Sequence, residues 1–222
     1  NKYSSKKLLK KFFQYVWFNV DNSKAVRNRL KFVRRELKAH LHTIAGVDKE
    51  INIISIASGS SRAVIEIVNE ERYLQDTKLS VTFLDKNPQA IEYSKRLAES
   101  ISHPRIQLEW INDTVGNYFR SNPTKKFDVV EIVGLLDYFT DEKVIEIFKG
   151  IYGILQDGGV VITANISHNK EERFITKVID WPMIYRTPDE LARLVHEAGF
   201  SYNTMKAFYE PLKVHGLVVA KK

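Results

Sequence analysis

The chain has 222 residues, 44% of them apolar, enough for one sizeable core and a globular fold. No apolar run approaches the roughly 20 residues that span a bilayer and no signal-peptide pattern opens the chain, so a cytoplasmic protein without a transmembrane segment is expected. The absence of Cys excludes disulfides, thiolate zinc sites and Cys nucleophiles together.

The net charge of +7 is unevenly placed: residues 1–40 carry 12 Lys and Arg against Asp21 and Glu36, which is +10 and leaves −3 for the remainder. Such a stretch suits RNA, an anionic lipid surface or an acidic carrier protein, or is simply a solvated helix face. In "SKKLLKKFFQYVWF" the spacing puts Leu8, Leu9, Phe12, Phe13 and Val16 on one helical stripe, with Lys6, Lys7, Lys10 and Lys11 around the other side. A second helix is predicted over "SKAVRNRLKFVRRELKAHLHTI", with Asp21, Asn22 or Ser23 capping its first turn. Residues 1–48 thus read as a helical arm or lid ahead of a domain over 49–222.

From residue 51 strands and helices alternate. Strands are expected at 51–57, 79–85, 105–112, 127–133 and 159–165, with helices near 61–74, 88–101 and 141–155. The runs "INIISIA", "LSVTFLD", "FDVVEIV" and "GVVITAN" are almost continuously apolar, as in strands covered on both faces. This is the pattern of an α/β, Rossmann-like, doubly wound parallel sheet behind N-terminal helices. In "RTPDELARLVHEAGF", Thr187, Pro188 and Glu190 make a helix start of capping-box type and Gly199 its end. The strands "YNTMKAFYE" and "KVHGLVVAKK" follow, separated near Pro211 by too few residues for a parallel crossover, so the last strand should be antiparallel.

An open parallel sheet binds ligands at the carboxyl ends of its strands, beside the point where strand order reverses. The first such turn, "IASGSSR", contains only small residues, Ala57, Ser58, Gly59, Ser60 and Ser61, so a ligand can approach the backbone closely. It has neither the three glycines of a dinucleotide fingerprint nor the Gly-Lys-Ser/Thr ending of a P-loop, and suits a nucleoside with a small zwitterionic tail. Asp85 ends the second strand, where a carboxylate can accept both hydroxyls of a ribose or cap the next helix. Asn112 and Asp113 end the third and can read an adenine edge.

Over residues 51–222 the sequence resembles the class I S-adenosylmethionine-dependent methyltransferases, through "ISIASGSSR", "FLDKNPQAIEYS", "INDTVGNYF", "FDVVEIVGLLDYF" and "LQDGGVVITANI" in order. The resemblance implies a seven-stranded sheet with an antiparallel last strand and S-adenosyl-L-methionine as cofactor. It also implies cofactor contacts at Ala57, Ser58, Gly59, Ser61, Asp85, Lys86, Asn112, Asp113, Thr114 and Gly134. Ala57 and Ser61 stand where the common motif has glycines.

Methyl transfer from a sulfonium is an in-line displacement that needs alignment and exclusion of water. The resemblance also puts Asp137 and Tyr138 of "GLLDYF" where many small-molecule methyltransferases face their substrate, with Asp137 as a base, an orienting acceptor or the cap of the helix near Asp141. Asn165 lies on the same rim by topology, with His168 as a surface residue. The segment "VIDWPMIYRTPDEL" adds Trp181, Tyr185 and Arg186, able to hold an apolar chain and an acidic end, or to pack under the loop with Arg186 on an Asp. Arg27 and Arg29 can reach the methionine carboxylate or the acceptor. More narrowly, "AVRNRLKFV", "SIASGSSR", "NDTVGNY", "GLLDYF" and "DWPMIYRTPDEL" resemble bacterial methyltransferases linked to 3-hydroxy fatty acid methyl esters. That resemblance implies a carboxyl acceptor on a long acyl chain; the charge of the amphipathic arm separately suggests a lipophilic or carrier-bound acceptor and contact of residues 1–20 with an anionic surface, and no metal is assigned. An RNA methyltransferase using the basic arm and a cofactor-binding protein without catalysis are the alternatives, separated by RNA-dependent activity and by binding without turnover.

Overall fold

The computed structural model describes residues 18–47 and 49–222; the amphipathic stripe expected over residues 8–16 lies outside them. In chain order the elements are α1 (Asp21–Ile44), β1 (Glu50–Ile56), α2 (Arg62–Glu70), β2 (Lys78–Leu84), α3 (Pro88–Ala98) and β3 (Ile106–Ile111). Then come α4 (Val115–Arg120), β4 (Phe127–Val133), α5 (Asp141–Ile154), β5 (Leu155–Ile166), α6 (Glu172–Lys177), α7 (Pro188–Glu197), β6 (Met205–Tyr209) and β7 (His215–Lys221).

The strands form one seven-stranded sheet in the order β3-β2-β1-β4-β5-β7-β6. β1 to β5 run parallel, and β7 is antiparallel to both β5 and β6. Order reverses between β1 and β4, so their carboxyl ends open a crevice. The period-two alternation of β1 explains its two-sided burial. Ile51 and Ile53 face α1 and α2 with Val33, Leu37, Leu41, Val64 and Ile67, whereas Ile54 and Ile56 face α5 and α7 with Val144, Phe148, Leu191 and Val195. Each such aliphatic side chain contributes about 1.5–3 kcal/mol on burial.

Two local expectations changed. The cap of α1 is not Asp21, Asn22 or Ser23: its N-cap is Val20, with no side-chain cap of its own. Glu171, far away in sequence, accepts from the backbone N–H of Asp21 at 2.9 Å and of Asn22 at 2.8 Å. Burial opposes charge on Glu171, but these hydrogen bonds outweigh it and hold the carboxyl below its usual range. β5 begins at Leu155, inside the helix expected over 141–155, because Leu155 pairs with Phe127 of β4 ahead of a register shift, after which Val160 pairs with Val129. The short helices α4 and α6, of six residues each, were too brief to show a period. The reciprocal Thr187–Glu190 box of α7 is present as expected, Gly199 follows that helix with φ 114°, and the terminal hairpin is antiparallel.

Gly216 of β7 packs against the start of α7: a Cβ there would lie 2.8 Å from Pro188 Cγ and 2.9 Å from its backbone nitrogen. Gly216→Ala should therefore cost about 1–3 kcal/mol through overpacking. Thermal denaturation checks this; an unchanged midpoint would show that α7 gives way freely.

Candidate active site

After Ile56 the backbone turns through Ala57, Gly59 and Ser61 in the left-handed region, with φ of 53°, 52° and 55°. For Ala57 and Ser61 this conformation costs roughly 1–2 kcal/mol each relative to glycine. The two departures from the glycine motif thus keep the glycine backbone, a pattern of strain that clusters at ligand sites. Among the described residues the hydroxyls of Ser58 and Ser61 are buried without a partner, an unsatisfied state that costs about 1–3 kcal/mol each until a polar ligand fills it.

Asp85, at the tip of β2, accepts from Gly59 N–H and from Asn87 N–H, both at 2.8 Å. A carboxylate has about four acceptor positions, which leaves room for a diol. The cap of α3 is Asn87, accepting from Gln89 N–H at 2.9 Å, and not Asp85. Beyond Asp85 lies a cavity of about 410 Å³ lined by Ala57, Lys86, Asp113 and Thr114, with apolar walls from Leu84, Val115, Leu135 and Phe139. Asn112 is set back from it, its amide donating to the Asp85 carbonyl at 2.9 Å. Asp113 accepts from Thr114 N–H and the Asn117 amide, both at 2.7 Å. The shape and donor set fit a nucleoside: apolar walls for a base, Asp85 for a ribose.

On the other side of the turn a cavity of about 320 Å³ is lined by Ser58, Ser61, Arg27, Arg29 and Glu131. Glu131 of β4 is in register with Ser55 of β1, whose hydroxyl donates to it. Burial raises the Glu131 carboxyl to about 7, against the pull of Ser55 and Arg29. A third cavity, about 270 Å³, is lined by Arg29, Gly134, Asp137, Tyr138, Trp181 and His215. Gly134 has φ 81°, and a Cβ there would sit 3.6 Å from the Arg29 guanidinium. Asp137 is 4% exposed, and its Oδ1 accepts from Ile166 N–H at 2.6 Å. Burial pushes its pKa up, partly offset by that bond and by Arg29 and Arg186. The Trp181 indole donates to the Tyr138 hydroxyl at 2.9 Å, forming one edge of the mouth.

Arg29 lines both of these cavities. Burial lowers its basicity, while Asp137, Glu131 and Tyr138 favour the charged form. Among the described residues no side chain or carbonyl forms a hydrogen bond or ion pair with it. Its fork is available.

Of the two roles open to Arg186 in the sequence, holding an acidic end or pairing with an Asp, the structure places it in the second. It is 3% exposed and its donors go to Asp141 Oδ1 at 2.9 Å, the Leu136 carbonyl and Asn165 Oδ1 at 3.1 Å, and the Phe139 carbonyl at 2.6 Å. Asn165 spends its amide on the carbonyls of Ile166 and Ile184. The Tyr185 ring stacks on His168 at 5.5 Å. These three knit the segment to the sheet and do not line the cavity, because Arg186 N–H bonds to Ile166 and turns the side chain inward. Arg27 donates to the Phe18 carbonyl at 2.9 Å. Glu131 and His215 were missed by the sequence reading. The one signal for Glu131 is an acid inside the apolar run "FDVVEIV"; His215, at the head of a strand, carries none.

Glu131 gives a pH test. Its raised pKa means that the folded state binds more protons than the unfolded one between about 4.5 and 7, so this group's stabilisation is lost as pH rises through that window. Glu131→Gln should flatten that part of the pH dependence in denaturant titrations from about pH 5 to 8. Parallel curves for the two proteins would refute the shift.

A family model described as "Putative methyltransferase" matches residues 1–212. No curated protein matches the sequence. Among solved structures, a possible exported protein from Bordetella parapertussis is 17% identical with a TM-score of 0.76, over 93% of this chain and 71% of that one. A Nostoc punctiforme protein described in the same terms as an O-methyltransferase is 16% identical with a TM-score of 0.61, over 94% of this chain and 60% of that one. Magnesium protoporphyrin IX methyltransferase from Synechocystis, with bound SAH, is 10% identical with a TM-score of 0.65, over 91% and 87%. This chain therefore spans less than two thirds of the Nostoc protein. At these identities the structural likeness speaks for the fold, and no helix among the described residues is long and apolar enough to cross a membrane. With the switch-point crevice, the strained turn and Asp85 in place, the match over nearly the whole length shows that the chain belongs to this methyltransferase family.

Proposed function

We propose that the protein moves a methyl group from S-adenosyl-L-methionine to the carboxylate of a small lipophilic acid held in the cavity between α1 and the exit of β4. The observation that carries the acceptor class is the available fork of Arg29, which faces that cavity and suits a carboxylate. When bound, the cofactor supplies an electrophilic methyl on a sulfonium. Asp85 would hold its ribose, the left-handed turn and the Ser58 and Ser61 hydroxyls its amino-acid end, and the cavity walled by Leu84 and Phe139 its adenine. Lys86, Asp113 and Thr114 border that base pocket, and Gly134 keeps the passage to the acceptor open.

A carboxylate at neutral pH has no proton to lose, which agrees with an Asp137 that is buried and already bonded to Ile166. In this reading Asp137 holds the floor of the cavity and keeps Arg29 charged, while Tyr138 and Trp181 close its mouth. Phe174, Val178, Ile179 and Ile184 are exposed around Trp181, an apolar rim of the kind that meets a hydrophobic partner; here it meets the tail of the acceptor. Within residues 1–48, α1 serves as the cavity wall, and residues 1–20 act as the docking arm for a lipophilic or carrier-bound substrate.

Mass spectrometry with isotopically labelled cofactor, screening fatty acids, amines, alcohols and RNA, tests this. Labelled esters that hydrolyse in mild alkali are expected, and a methyl that survives that treatment overturns the carboxylate. Asp85→Ala should weaken cofactor binding at least about tenfold, about 1.4 kcal/mol, by calorimetry. Asp137→Asn should keep substantial turnover, and a loss on the order of 10²-fold or more would mark it as a base instead.

A further inference from the structure

His215 opens β7 opposite Ile166 of β5, the residue whose N–H is held by Asp137. It is 3% exposed and lines the acceptor cavity together with Arg29. Its Nδ1 is buried with no partner, so Nε2 is the nitrogen left to face the cavity. Across that cavity stand Arg29 from α1 and Asp137 and Tyr138 from the β4 exit; on its own hairpin stands Glu210.

Glu210 is fully buried. Its carboxylate accepts from the Asn28 amide at 2.9 Å, Leu212 N–H at 2.9 Å, Val214 N–H at 2.8 Å and His215 N–H at 3.5 Å. One side chain therefore joins α1, at the residue before Arg29, to the backbone of His215. A pair of ligand-holding groups needs such support to keep its spacing.

We propose that His215 is the second side chain that grips the acceptor carboxylate, donating from Nε2–H to one oxygen while Arg29 takes the other, with Glu210 as the positioning residue that spaces them. This rests on the carboxylate reading above. Burial, and then the neighbouring Arg29 charge, hold the imidazole well below its usual pKa, so the ring is neutral and has a single N–H. A buried N–H without an acceptor is rarer than a buried bare acceptor, which puts the proton on Nε2. A ring protonated there is a donor and not a base. In the transfer, an acceptor oxygen forms the new C–O bond as the C–S bond breaks. The carboxylate charge cancels the sulfonium charge, and no proton moves.

The test uses octanoate and octanol as probes in calorimetry on the protein loaded with S-adenosylhomocysteine. His215→Phe should weaken octanoate at least about tenfold while leaving S-adenosylhomocysteine affinity within about twofold, and His215→Gln, which keeps an N–H donor, should recover most of the loss. Asn28→Ala, which frees α1 from Glu210 without entering the cavity, should weaken octanoate a few-fold. Equal octanoate affinity in wild type and His215→Phe overturns the role of His215 and leaves the carboxylate reading standing. Absent octanoate binding, or octanol binding as tightly, overturns the carboxylate reading itself. Independently, nitrogen-15 NMR of the His215 ring should show a neutral Nε2–H tautomer from about pH 5.5 to 8; a proton on Nδ1, or titration near 6.5, overturns the assignment whatever the acceptor proves to be.

Discussion

A guanidinium drawn out of water needs its charge compensated, and for Arg29 burial is offset in part by two carboxyl groups that it does not bond directly. Glu131 and Asp137 favour its charge from a distance and leave its donors for a ligand. This arrangement holds only if α1 cannot slide over the sheet. Glu171 fixes the start of the helix, Glu210 fixes it at Asn28, and Val33, Leu37 and Leu41 anchor the rest in the core. The outer charges of α1 act differently. Arg34 pairs with Glu66 at 3.0 Å, and Arg35 lies over the Phe32 ring at 4.4 Å while pairing with Glu36. Of these four charged groups only Arg35 is exposed; Arg34 and Glu66 are half-buried and Glu36 is buried.

The crevice concentrates several unfavourable features that the rest of the molecule carries. Ala57 and Ser61 hold left-handed backbone, the Ser58 and Ser61 hydroxyls lack partners, and burial disfavours the charge on Glu131. Each is a local conflict of the sort that natural proteins tolerate where they bind something. The strands beneath offset it: β1 and β4 are buried on both faces and pair residue by residue from Ile53–Val129 to Ile56–Ile132. The rigid floor lets the turn above it remain strained, with the N–H groups of Ser58, Gly59 and Ser61 bonded to Leu84, Asp85 and Ser58.

How much of this was legible in the sequence follows from the range over which each feature is determined. Strands β1, β2 and β4 were found to within a residue or so, because two-sided burial writes an almost unbroken apolar run into the chain; β3, an edge strand with no buried residue, was found as closely without such a run. The capping box of α7 and the terminal hairpin were legible because their partners lie within a few residues of each other. Asp85 was legible as well, since the strand-to-helix rhythm alone puts it at the tip of β2. The helix α1 was recognised but its cap was not: three good capping residues stood at its start, and Glu171 from 150 positions away took the N–H groups instead.

The sequence by itself therefore determined the layers, the strand directions, the position of the small-residue turn after β1 and the concentration of positive charge near the N-terminus, since each is a matter of local period or composition. Only the tertiary structure decided which polar side chains serve the cavity. Arg186 and Arg29 are equivalent as sequence, both arginines near an expected rim. In the fold, Arg186 meets Asp141, Leu136, Phe139 and Asn165 and is consumed by them, while Arg29 meets two carboxyls beyond bonding distance and stays available. His215 likewise gains its place from strand pairing with β5 and from Glu210. The physical reason is that a hydrogen-bonding group is committed by the nearest complementary partner in space, and contacts such as Arg186–Asp141 and Asn28–Glu210, 45 and 182 residues apart, leave no mark on the local pattern.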